Sequence, residues 1–141
     1  MKNIIHLALK TGFTFKNVYG HLDETLKYGI EEKAIGIADV GNTFSHPLIE
    51  KKCKALEIKP IYSVRLTVVE NASDKVKPRG QFGYEYIFIA KNYEGLKEIY
   101  QLVKKYYDNF YYRGNISLKD VFNLSENVFV IAENFEDDQR I

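Results

Sequence analysis

The sequence has no tryptophan, one cysteine, one methionine and three prolines in 141 residues. The single Cys53 excludes an internal disulfide and suits a reducing compartment. An excess of one charge is also missing: 20 basic against 19 acidic side chains leave a formal net charge of +1. Bulk electrostatics therefore give no grip on DNA or an anionic membrane, and direct nucleic-acid binding is expected to be weak or absent. No apolar stretch approaches the roughly 20 residues needed to span a bilayer. Residues 1–6 carry a short apolar run without a small-residue cleavage site, which does not read as a signal peptide. Together these absences read as a soluble, cytoplasmic chain.

What is present fits one globular domain over residues 1–141: 45% of the residues are hydrophobic and 28% charged. A chain of this size buries roughly two thirds of its unfolded surface, enough for one core. Tyrosine (11) and phenylalanine (9) are abundant. With Ile and Lys also prominent, this usage reads as the base composition of an AT-rich genome rather than as a binding surface.

Apolar runs and breakers outline the elements. Residues 4–9 predict a first strand buried on both faces. A Gly-bounded loop over 11–20 leads to a short helix over 22–28, stopped by Gly29. Residues 34–38 predict a second buried strand, with a turn at Asp39-Val40-Gly41-Asn42. Ser45 is the expected N-cap of a helix carrying Pro47 in its first turn and Leu48, Ile49, Cys53 and Leu56 on its inner face. A third strand follows over 59–69, and a loop or hairpin over 71–83. A fourth strand spans 86–90, before a helix over 92–108 capped by Asn92, with Leu96, Ile99, Tyr100, Val103 and Tyr107 at helical spacing. A last strand covers 127–132 and an acidic end 133–141. Strands alternating with helices predict an α/β fold with a largely parallel sheet.

Five segments, in order, resemble the PHP (polymerase and histidinol phosphatase) domain that opens bacterial DNA polymerase III alpha subunits. His6-Leu7-Ala8-Leu9-Lys10-Thr11-Gly12-Phe13-Thr14 resembles the family's His-Leu-His-Val-His-Ser-Glu-Tyr-Ser opening. Ile37-Ala38-Asp39-Val40-Gly41-Asn42 resembles its Leu-Thr-Asp-His-Gly-Asn, and Glu57-Ile58-Lys59-Pro60-Ile61 its Gly-Ile-Lys-Pro-Ile. The stretch from Ile87 to Leu96 resembles Leu-Leu-Leu-Ala-Lys-Asn-Glu-Glu-Gly-Tyr, and Phe110-Tyr111-Tyr112-Arg113 a Phe-Tyr-Tyr-Lys segment. The resemblance implies part of a TIM-like, seven-stranded barrel, the family domain being longer than this chain.

It also implies a metal-dependent phosphoesterase or exonuclease site, whose closely spaced cations polarise a phosphate and generate hydroxide. Matched position by position, that site is erased here. The His-x-His pair becomes Ala8 and Lys10, and the acidic loop residue falls near Asn17. The histidine after the aspartate is Val40; the glutamate ending the third strand is Arg65. The histidine opening the fourth strand is Glu85, the cysteine falls at about Asn134, and the last Asp-x-His lies beyond residue 141. The expectation is no metal, no cofactor and no catalytic residue. In place of cations we expect a charge cluster of Lys10, Asp39, Arg65 and Glu85, with the Arg65 fork on Glu85 or Asp39.

Other constellations are weaker. His6, His21 and His46 share no ligand spacing; on its apolar strand His6 reads as a core histidine. Asp39-x-Gly41-Asn42 reads as a turn ahead of a catalytic remnant. Tyr106, Tyr107, Phe110, Tyr111, Tyr112 and Arg113 follow Lys104 and Lys105, a strip able to stack single-stranded bases. Aromatics folding back onto the core are the preferred reading, since the family match contains them. Gly80, Gly83 and Gly95 lack phosphate-loop spacing, and no Ser or Cys nucleophile has an identifiable His partner. Three functions follow as alternatives. The first is an inert PHP-like module of a replicative polymerase, partnered by the rest of that polymerase, another replisome protein or a second copy. The second is a small phosphoesterase rebuilt around Asp39 and Glu85. The third is a stand-alone protein, such as a phage's, that mimics the polymerase's amino terminus.

Overall fold

The computed structural model describes residues 4–71, 83–110 and 113–133. It is a mixed α/β fold. In chain order the elements are α1 (Leu22–Leu26) with a 3₁₀ turn (Lys27–Gly29), β1 (Ala34–Val40), α2 (His46–Ala55), β2 (Lys59–Val69), β3 (Tyr84–Ala90), α3 (Tyr93–Asp108), β4 (Ile116–Ser117), α4 (Leu118–Phe122) and β5 (Val128–Ala132). The five strands belong to one sheet, hydrogen-bonded in the order β1-β2-β3-β5 with β4 also on β2. Among the described residues this order does not return to β1, so no barrel closes. By contacts the chain forms two compact units, Met1–Val64 and Arg65–Ile141, whose boundary falls inside β2. Among the described residues no helix is long and apolar enough to cross a membrane.

In the first unit β1 is buried over six of its seven residues, as its apolar run predicts. Leu26, Ile35, Ile37, Ile49, Cys53 and Ile58 form the core, with Leu9, Leu22 and Tyr62 packed on it. Each such aliphatic side chain contributes about 1.5–3 kcal/mol by leaving water. Burial also pushes the Cys53 thiol above its ordinary pKa, which marks it as a packing residue. The inner face of α2 is narrower than its pattern suggested: Ile49 and Cys53 are buried, while Leu48 and Leu56 are exposed.

The first predicted strand is absent. Residues 4–9 make a single parallel bridge, Leu9 to Ile37, and Ile4, Ile5 and Leu7 are 60%, 45% and 43% exposed. An apolar run cannot distinguish a strand buried on both faces from a segment laid along a sheet with one face open. Backbone bonds hold it, among them Gly36 N–H to His6 O, Leu9 N–H to Gly36 O, and Ala38 N–H to Leu9 O. His6 is correspondingly exposed, its ring edge-on to Tyr28 at 5.8 Å, and is not a core histidine. Glycine is required at position 36, because a Cβ there would lie 2.2 Å from the Leu7 carbonyl oxygen.

In the second unit the sheet is mixed rather than largely parallel. β4 runs parallel to β2, but β5 runs antiparallel to β3, with Phe88 opposite Val130. The Asn92 side chain caps α3 as expected, accepting from Gly95 N–H at 2.9 Å. The buried stripe of α3 is Gly95, Ile99, Leu102 and Tyr106, whereas Tyr100 and Tyr107 face solvent. Only Ile99 was common to both readings: tyrosines counted as apolar drew the predicted face around the helix. Strand β4 and helix α4 were not anticipated. The sequence signal was there, since Ser117 and Asp120 form a reciprocal capping box that starts α4. The predicted loop at 71–83 lies mostly outside the described residues, as does most of the acidic end.

A Gly36→Ala variant should lose about 1–3 kcal/mol of stability, because its methyl group meets backbone that cannot rotate away. Urea unfolding midpoints of variant and parent measure this, and an unchanged midpoint would contradict the packing described.

Candidate functional site

Among the described residues each unit carries one buried charged side chain. In the first unit it is Asp39, 1% exposed, near the end of β1. A buried carboxylate is costly unless its oxygens are met by donors. Oδ1 accepts from Thr11 N–H and the Thr14 hydroxyl, both at 2.7 Å. Oδ2 accepts from the Thr11 hydroxyl at 2.8 Å and the Ser45 hydroxyl at 2.9 Å. Neutral donors therefore fill all four lone-pair directions. Ser45 stands at the N-cap position of α2 as expected, but its hydroxyl makes no capping bond there and is turned onto Asp39 instead.

The turn after Asp39 is tied to the same loop. Gly41 takes the left-handed conformation at φ 71°, which favours glycine. The Asn42 amide donates to Phe13 O and Val40 O, and its oxygen accepts from Phe44 N–H. His46, 4% exposed, places Nε2 3.1 Å from Ser63 O and its ring 5.1 Å from that of Tyr62. Burial lowers the His46 pKa below the ordinary 6.5, although the Ser63 carbonyl and the Asp39 carboxylate pull it back upward. His46 is thus a core histidine with a satisfied ring nitrogen, while His21 is exposed at the start of α1.

A cleft of about 370 Å³ opens in the same unit, walled by Phe13, Phe15, Leu22 and Leu48. At its edge Lys52 is paired with Asp23 at 2.6 Å.

In the second unit the buried charge is Arg65, 6% exposed on β2. Its fork meets one carboxylate through two bonds, Nε to Oε2 and Nη2 to Oε1 of Glu133, each 3.0 Å. The Arg65 side chain is 8% exposed and that of Glu133 29%, so one end of the pair reaches solvent. Sequence reasoning chose Glu85 or Asp39 for this bond and did not consider Glu133. The missed signal was position: Glu133 directly follows β5, beside the place assigned to the family's cysteine. The Glu133 backbone N–H is in turn held by Glu85 O at 2.9 Å.

Of the expected aromatic strip, Tyr106 is buried, Tyr107 and Phe110 are exposed, and residues 111–112 lie outside the described residues. Burial raises the Tyr106 pKa, against a hydrogen bond from Thr67 that lowers it. The exposed members therefore do not all fold back, while Tyr106 does.

A metal implied by the resemblance can be tested against this donor set. Ala8 and Val40 are hydrocarbon, Lys10 and Arg65 are cations, and Asn17 is exposed. Glu85, half-buried, keeps a donor; Asn134 lies outside the described residues. Among the described residues no group of three or more His, Cys, Asp or Glu side chains could hold a metal ion. The described donors do not fit the family's cations.

The chain belongs to the PHP domain family, whose model matches residues 6–136. Its relatives include the DNA polymerase III subunit alpha of Aquifex aeolicus (strain VF5), 29% identical over 147 residues and 93% of this chain. The DNA polymerase III subunit alpha of Staphylococcus aureus (strain Mu50 / ATCC 700699) is 24% identical over 139 residues and 97% of this chain. In each case the match covers 12% of the relative, so this chain spans about an eighth of their length.

Two outcomes are expected from these geometries. Asp39→Ala strips the acceptors from four buried donors and should cost about 3 kcal/mol or more in urea unfolding; parent-like unfolding would contradict the network. His46, its folded pKa depressed, adds stability that is complete above pH 6.5 and is lost as pH falls through the folded value. Unfolding midpoints should therefore drop on acidification from about pH 7.5 to about 5.5, and drop less in His46→Gln.

Proposed function

We propose that this PHP domain is a catalytically inert module that serves DNA replication as a structural or partner-binding part of a polymerase III alpha-type assembly. One observation carries the proposal: a position matched to a metal-binding glutamate holds a buried arginine whose fork is already bonded to Glu133. A fixed guanidinium repels a divalent cation and offers it no lone pair. In this reading side-chain charge replaces the family's cations, with Arg65 as the base and Glu133 as the acid. The open sheet is then read as part of the family's seven-stranded barrel. The rest of a polymerase, or another replisome protein, is the expected partner.

A phosphoesterase rebuilt around Asp39 and Glu85 is the weaker reading. Asp39 would have to release hydroxyl donors before it could bind a metal.

The test combines elemental analysis after dialysis against manganese or zinc with hydrolysis of a generic phosphodiester. The expected result is less than stoichiometric metal and no turnover. A full equivalent of tightly held metal, or hydrolysis that a chelator abolishes, would sink the proposal.

A further inference from the structure

We draw no further inference here: the strongest candidate, the cleft of the first unit walled by Phe13, Phe15, Leu22 and Leu48, carries nothing, because the Lys52 and Asp23 charges at its edge are paired with each other and nothing in the structure shows what covers its apolar walls.

Discussion

A carboxylate placed in a protein interior has to be surrounded by donors, and Asp39 shows how much local structure that single demand organises. Its oxygens are reached by three residues from two places: Thr11 and Thr14 in the loop after the bridge to β1, and Ser45 at the entrance to α2. The loop has no regular secondary structure to hold it, so these bonds, with Asn42 on Phe13 O, fix its course. Val40 N–H closes the set by donating back to the Thr14 hydroxyl. Removing the acid orphans donors in two segments at once, and the penalty is cooperative.

The same physics operates with opposite sign at Arg65. A guanidinium cannot shed its proton, so burial leaves only one remedy, an acceptor of matching geometry. Glu133 supplies it, and in doing so ties the end of β5 to β2. A metal site asks for the reverse arrangement, in which unprotonated donors converge on an external cation. A cation fixed covalently to the backbone satisfies the local electrostatics without any exchangeable ion.

Some of this was legible beforehand. The buried strand at β1, the Asn92 cap of α3 and the positions of β2, β3 and β5 follow from local apolar runs and turn chemistry. The membership in the PHP family was also readable, because ordered short segments keep their spacing even at low identity. Residues 4–9 and the stripes of α2 and α3 were not, since hydropathy does not say which face another element will cover. Ser45 has the right chemistry for a cap and was read as one. The competing demand of a buried carboxylate six positions earlier decided its rotamer.

The sequence by itself determined the charge types: a lysine and an arginine where a metal site needs ligands, and an aspartate before a Gly-Asn turn. Those identities fix which donors each side chain can offer regardless of packing, because a side chain's donor set is covalent. Only the tertiary structure decided who answers each charge. Glu133 lies 68 positions from Arg65, and Thr11 lies 28 from Asp39. At such separations local pattern carries no information about pairing; partners are chosen by which strand ends and loops the fold brings within hydrogen-bond reach.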